Sequence, residues 1–286
     1  MSATGPRVLL TGGRGFVGRQ LLRLLVAQGY RVRLLVRTPK APAAMDLAGE
    51  DQAAEAVESC VAVDDLFALS RERLRTLCEG VDTVLHAAWF AEPGKYLSAP
   101  ENLPCLAGTL QLFAAAREAG VRRFVGLGTC FEYDLSHGYL STATPLKPET
   151  PYALAKATAF QTCAAFADGG PTEFAWCRLF YLYGEGEDPR RLVPYIHQQL
   201  RAGEVAALTR GLQVRDYLDV ADAARDILSV MAGRQTGAVN ICSGQPQTVR
   251  ALALSIAERY GRPDLLHFGA RADNAVDPPV VVGVKT

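Results

Sequence analysis

The sequence predicts an α/β fold: a doubly wound parallel sheet covered by helices on both faces, followed by a smaller α+β lobe. Three observations carry this. Through the first 180 residues, strand-length apolar runs alternate with amphipathic helical stretches, the order of βαβ units. Those runs carry apolar residues on both faces, as strands inside a helix-covered sheet do. A glycine-rich turn, Thr11–Gly18, joins the first run to the first helix.

Taken in order, strands are expected at Arg7–Thr11, Arg31–Val36, Cys60–Val63, Val81–Ala87, Arg123–Gly128 and Glu173–Phe180. Helices are expected between them at Phe16–Gln28, with Val17, Leu21, Leu24 and Leu25 on the buried face, and at Arg71–Glu79, Leu103–Ala119 and Pro151–Ala167. After residue 180 the texture changes. A Gly/Pro/charged loop, Gly184–Arg191, precedes a helix at Leu192–Arg201 and short strands at Val205–Leu208 and Gln213–Leu218. A helix at Val220–Met231, a strand at Ala238–Ile241 and a helix at Thr248–Tyr260 complete the lobe. The stretch Phe268–Thr286 reads as irregular. The division is therefore 1–180 and 181–286, with interleaved boundaries.

Composition narrows the function. Of 286 residues, 49% are hydrophobic and 21% charged, an ordinary globular mix. Thirty Lys+Arg balance thirty Asp+Glu, so no global field recruits nucleic acid or an anionic membrane. No apolar run approaches the roughly 20 residues of a membrane helix. Seven cysteines are scattered singly with no C-x-x-C, which argues against a disulfide framework or zinc knuckle and for a reducing, cytoplasmic setting. No metal site is expected.

Gly12, Gly15 and Gly18 are spaced G-x-x-G-x-x-G directly after the first strand. In this place the spacing is that of a Rossmann-type dinucleotide turn, with a merely structural turn as its alternative. The first glycine makes the tight turn, the second lets backbone approach a pyrophosphate, and the third permits close helix–strand packing. Phe16 and Val17 open the helix whose N-terminus faces the anion. About 20 residues on, where a carboxylate would bind an unphosphorylated ribose, stands Arg37, followed by Lys40. With Arg14 in the glycine loop, these cations favour a 2′-phosphate and hence NADP(H) over NAD(H); a solvated strand-end charge is the alternative for Arg37. Asp64 is placed to meet the adenine edge, and capping by Asp64 or Asp65 fits the same position.

Tyr152 and Lys156 stand four apart, one turn along the same helix face. A neighbouring ammonium favours the phenolate, bringing tyrosine towards use as a proton donor and acceptor. Thr129 ends the preceding strand, where its hydroxyl can hold a carbonyl oxygen beside the phenol.

Together with His86-Ala-Ala88, Arg178–Gly184 and Arg215–Asp222, these segments resemble the short-chain dehydrogenase/reductase superfamily, in its extended branch of NAD(P)-dependent nucleotide-sugar epimerases, dehydratases and reductases. The resemblance runs in the family's order over nearly the whole chain. It implies Thr129, Tyr152 and Lys156 as the catalytic triad and Ala87–Ala88 as cofactor-lining backbone beside a packing His86. It implies Arg215 on a substrate diphosphate, with Tyr181 and Arg191 beside the substrate, Tyr181 replacing the family's usual asparagine. Asn102 matches an asparagine of the proton relay, and a helix N-cap is its alternative. Superfamily members often dimerise through two helices, here Leu103–Ala119 and Pro151–Ala167, so a homodimer is expected.

Departures from the family pattern select the reaction. Dehydratases carry an acidic pair directly after the hydroxyl residue; here Cys130 and Phe131 stand there, and Glu132 is offset by one. Some epimerase–reductases place a cysteine two after that residue; Cys130 comes one after, where strand alternation points it away. What remains is one hydride transfer: an NADPH-dependent 4-ketoreductase of a nucleotide-activated 4-keto-6-deoxyhexose. The competing readings are an NAD-dependent nucleotide-sugar 4-epimerase, a non-catalytic dinucleotide sensor or scaffold, and reduction of a non-nucleotide ketone.

Overall fold

The computed structural model describes residues 5–38, 57–274 and 277–285. Its centre is a sheet of seven parallel strands. These are β1 (Arg7–Thr11), β2 (Arg31–Arg37), β3 (Val57–Val63), β4 (Thr83–His86), β5 (Arg123–Thr129), β7 (Glu173–Leu179) and β11 (Gly237–Ile241), in the order β11-β7-β5-β4-β1-β2-β3. The short strand β6 (Tyr139–Leu140) lies elsewhere. The two-residue alternation of a strand distributes β1 between two cores. Val8 and Leu10 pack under α1 (Phe16–Ala27) and α6 (Val220–Ala232), with Leu21, Leu25, Ile227 and Leu228. Leu9 faces the other side, with Leu74 of α2 (Arg71–Cys78), Leu112 and Phe113 of α3 (Asn102–Glu118) and Cys163 of α4 (Pro151–Ala167). Both faces are thus covered, as the expected sheet requires.

Two elements depart from the residue-180 division. The strand β11 pairs in parallel with β7 along Gly237–Ile241, and α6 covers the face shared with α1, so both belong to the large sheet. The remaining lobe has its own core. Here α5 (Leu192–Ala202), α7 (Val249–Arg259) and the parallel pair β9 (Ala206–Leu208) and β13 (Leu266–Phe268) bury Ile196, Leu200, Leu208, Leu252 and Ile256. The irregular reading of the last residues is corrected: Val280–Gly283 forms β14, with Val281 and Val282 fully buried. It pairs with β10 (Val214–Asp219) and β6, while β12 (Pro246–Thr248) and β8 (Tyr181–Tyr183) also pair with β10. The β-branched run Val280–Val282 is a local strand signal, and its partners lie far away in the sequence.

Strand order reverses between β1 and β4, and a crevice opens there at the carboxyl ends of the strands. Among the described residues no helix is long and apolar enough to cross a membrane.

Candidate active site

A cavity of about 810 Å3 extends from the crevice towards the smaller lobe. At its sheet end lie Gly12, Gly15, Phe16, Val17 and Gly18. Gly12 has φ +70°, and a Cβ there would come within 2.6–2.8 Å of the Ala87–Ala88 backbone. A Cβ on Gly18 would collide with the Gly12 carbonyl oxygen. Gly15 is the N-cap of α1 and caps without a side chain. The amides of the first helical turn therefore face the crevice with no side-chain acceptor, and this glycine cradle fits a dinucleotide pyrophosphate.

The Ala87–Ala88 backbone is itself held. Thr109 donates its hydroxyl to the Cys105 carbonyl (2.7 Å), so it accepts from His86 Nε2 (2.9 Å). His86 Nδ1 then accepts from Thr11 (2.8 Å), whose oxygen receives the Ala88 amide (3.3 Å). Burial first, then Lys156, pushes the imidazole down to about 3, leaving a neutral packing residue that ties β4 to β1 and α3.

Of the other predicted cofactor residues, Ala87 lines the cavity, and Arg14, Arg37, Asp64 and Asp65 are exposed outside it. Asp65 caps a short turn by accepting from Phe67 N (2.9 Å), so the capping role falls to it. Lys40 lies outside the described residues.

Thr150 caps α4 by accepting from Ala153 N (3.2 Å), and Pro151 starts the helix, so Tyr152 and Lys156 lie within its first two turns. Both line the cavity, as does Thr129. Two aromatic rings meet the phenol edge-on, Tyr96 at 4.9 Å and Trp89 at 6.3 Å. Lys156 is 4% exposed; its Nζ donates to the Leu127 carbonyl (2.6 Å) and lies 3.8 Å from the Trp89 ring centroid. Burial pulls the amine down to about 7. The same burial, with Tyr96 and Glu132, raises the Tyr152 phenol above its usual value, and a hydrogen bond with Thr129 opposes this. Lys156 is thus not the dominant influence on the phenol that the sequence alone suggests.

Trp89 and Tyr96 sit on a loop that Asn102 organises. The Asn102 side chain accepts from Trp89 Nε1 (2.8 Å) and donates to the Tyr96 and Ala99 carbonyls (2.7 and 2.9 Å). It is neither the N-cap, which is Glu101, nor a group touching Tyr152 or Lys156 through any of these bonds. Its role is to hold the aromatic wall.

The strand end after Thr129 turns into a short 3₁₀ segment, Cys130–Glu132, so strand alternation no longer applies there. Cys130 borders the cavity but is buried with Tyr133, Leu140 and Phe180, and burial pushes its thiol up to about 12. Glu132 turns inward. It accepts from Thr129 N (2.8 Å), Trp176 Nε1 (2.9 Å) and Arg178 Nε (2.7 Å). Phe131 and Tyr181 form an aromatic corner, 6.2 Å between centroids.

Arg215 is buried at the lobe end, 2.6 Å from Asp277 and 5.2 Å from the Tyr181 ring. Arg191, the N-cap of α5, lines the same wall. The structure therefore brings Thr129, Tyr152, Lys156, Tyr181, Arg191 and Arg215 to one cavity. Sequence reasoning missed Trp89, Tyr96, Tyr217 and Glu187, which also line it. Trp89 directly follows the His86-Ala-Ala88 segment, and Tyr217 stands two after Arg215 on the same strand, which could have flagged both; Tyr96 and Glu187 carry no local signal. Among the described residues no cluster of His, Cys, Asp or Glu suits a metal ion.

Comparison with known proteins places this geometry among relatives. The model of the NAD dependent epimerase/dehydratase family matches residues 8–242. The chain is 26% identical over 245 residues to dTDP-6-deoxy-L-talose 4-dehydrogenase (NAD(+)) of Aggregatibacter actinomycetemcomitans, covering 85% of this chain and 86% of that one. It is 30% identical over 280 residues to dTDP-6-deoxy-L-talose 4-dehydrogenase (NAD(P)(+)) of Kitasatospora kifunensis, covering 91% and 81%. Among solved structures, a double mutant of dTDP-glucose 4,6-dehydratase from Streptomyces venezuelae with NAD bound superposes with a TM-score of 0.79 at 25% identity, covering 98% of this chain and 88% of that one.

Proposed function

This chain belongs to the NAD dependent epimerase/dehydratase family and is an enzyme of the extended short-chain dehydrogenase/reductase type, and we propose that it is an NADPH-dependent 4-ketoreductase acting on a nucleotide-activated 4-keto-6-deoxyhexose. The observation that carries this reading is the surroundings of Thr129. Tyr152 and Lys156 share its cavity, whereas Glu132, the nearest carboxylate along the chain, is locked inward on Arg178 and Trp176. Such a site can move a proton to and from an oxygen beside a hydride donor, while the carboxylate that follows Thr129 is held by Arg178 and Trp176 and is not free to eliminate water next to that oxygen. The two relatives named for oxidation at C4 of a dTDP-linked 6-deoxy sugar support the same carbon; reduction is the reverse reaction.

In this reading the glycine cradle and the α1 N-terminus hold the pyrophosphate. When bound, the dinucleotide supplies a hydride to C4. Thr129 orients the C4 oxygen, and Tyr152 protonates it as charge develops. Lys156, whose amine is held at about 7 by burial, is poised to replace that proton near neutral pH. Arg215 meets the substrate diphosphate in exchange for Asp277, and the Phe131–Tyr181 corner offers an apolar wall to the deoxygenated carbon.

The preference for NADP(H) rests on Arg14 and Arg37. Among the described residues neither guanidinium forms an ion pair, and a 2′-phosphate would supply the missing anion. A homodimer is supported by the outer face of α3 and α4, where Leu103, Leu154 and Phe166 are 72%, 56% and 63% exposed beside small residues. The seven free cysteines support a cytoplasmic setting. A screen of NADPH oxidation against nucleotide-linked 4-keto-6-deoxyhexoses tests the reading. Turnover of at least one is expected, and none on any would overturn it.

A further inference from the structure

The loop between β8 and α5 places Glu187 on the border of two cavities, the main one and a smaller one of about 700 Å3 along α5. Its Oε2 is sealed from solvent and has no hydrogen-bond partner among the described residues. Leaving a buried acceptor of this kind unsatisfied is unfavourable. The loop that imposes this position is anchored on several sides. Arg23 of α1 pairs with Glu185 at 2.8 Å, Arg190 pairs with Asp188 at 2.8 Å, and the Glu187 amide donates to the Gly184 carbonyl (3.2 Å). The Glu187 side chain as a whole is half-buried on the wall of the substrate cavity, so a rotation of its carboxyl brings the unpaired oxygen to a ligand there.

We propose that Glu187 is a specificity-determining residue whose free oxygen accepts a hydrogen bond from a hydroxyl of the nucleotide sugar. The inference rests on the nucleotide-sugar reading above and adds to it a polar contact with a substrate hydroxyl. A hydroxyl suits the site because it donates to a carboxylate and accepts from a neutral acid. Both forms are accessible here: burial pushes the carboxyl up to about 7, with Asp188 adding to the rise and the Gly184 amide and Arg191 opposing it. Tyr217 of β10 also feels its charge, and His197 of α5 lines the smaller cavity with an imidazole held below its usual range by burial. The hydroxyl belongs either to the hexose or to the nucleoside ribose.

Calorimetric titration of the NADP+-loaded protein separates these sources. The ligands are dTDP-glucose, UDP-glucose, the 2-deoxy and 3-deoxy hexose analogues of dTDP-glucose and its 3′-deoxyribose analogue. Glu187→Ala is expected to weaken dTDP-glucose binding about tenfold. One deletion analogue should bind the wild type about tenfold more weakly than its parent, yet bind Glu187→Ala as tightly as the parent does. Its identity assigns the hydroxyl. Glu187→Gln, which keeps an acceptor, should recover most of the affinity. Unchanged affinity in Glu187→Ala, or no coupling between that substitution and any deletion, would overturn the assignment while leaving the reductase reading intact. Failure of the wild type to bind dTDP-glucose and UDP-glucose alike would instead overturn the nucleotide-sugar reading itself.

Discussion

Glu132 and Arg178 form an ion pair at 2.7 Å in which the carboxylate is 0% and the guanidinium 1% exposed. The pair lies directly behind the residue proposed to hold the substrate oxygen. One carboxylate oxygen takes the Thr129 amide and the Trp176 indole, the other takes Arg178, and the guanidinium is sandwiched between Tyr133 and Phe160 at 4.4 and 4.5 Å. The acid nearest Thr129 in sequence thus serves to fix the strand end.

Glu132→Gln leaves Arg178 as a buried charge without its counterion, so a loss of about 3–5 kcal/mol of folding stability is expected. Urea unfolding measures it. A loss below about 1 kcal/mol would show that the pair does not anchor the strand end.

Asn102→Ala removes three hydrogen bonds that hold Trp89, Tyr96 and Ala99, none of them to the proposed reacting groups. The aromatic wall beside Tyr152 should loosen, lowering kcat/KM by about tenfold to a hundredfold while dinucleotide affinity changes little. Steady-state kinetics alongside cofactor titration checks this, and a selective loss of cofactor binding would contradict it.

Lys156 gives a stability effect whose sign depends on pH. Its folded value is about 7, against about 10.4 in an unfolded chain. Between these values the unfolded state binds the extra proton, so this group raises stability as pH climbs from 7 towards 10; below 7 the full penalty applies. Lys156→Met should therefore stabilise the cofactor-free protein at pH 7, on the order of 2 kcal/mol after the lost Leu127 and Trp89 contacts are offset. That advantage should shrink by pH 9.5. Thermal melts from pH 6 to 9.5 read it directly, and an advantage that grows with pH would refute the assignment.

Arg37→Ala tests the cofactor proposal. The ratio of kcat/KM for NADPH over NADH should fall about tenfold or more, through the NADPH arm alone. Equal losses with both cofactors would indicate that Arg37 supports the strand end and not a 2′-phosphate.

Much of the first half of the fold was legible because its signals are local. The run Val8–Leu10, the glycines at 12, 15 and 18, and the Tyr152/Lys156 spacing each report on their neighbours within a turn or a strand. The elements misplaced are those whose partners lie far along the chain. The run Ala238–Ile241 reads as a lobe strand until β7 is seen beside it, and the place of Val280–Gly283 is set by β10 and β6, which flank it. In the site, Asn102 and Glu132 were visible as residue types at suggestive positions, but their roles are set by hydrogen bonds to a loop and to a distant strand. Asp216, inside the Arg215–Asp222 segment, is a similar case: its buried carboxylate accepts the amides of Ser243, Gly244 and Gly283 and fixes two chain crossings.

The proposed chemistry is a single, net hydride transfer to C4. Incubation with NADPH deuterated at the transferring position and a nucleotide-linked 4-keto-6-deoxyhexose, followed by product mass and proton spectra, measures it. One deuterium at C4 for each NADPH consumed is expected, with Tyr152→Phe slower by about 10²–10⁴-fold. Interconversion of C4 epimers without net NADPH consumption and without label would contradict the account and identify an epimerase instead.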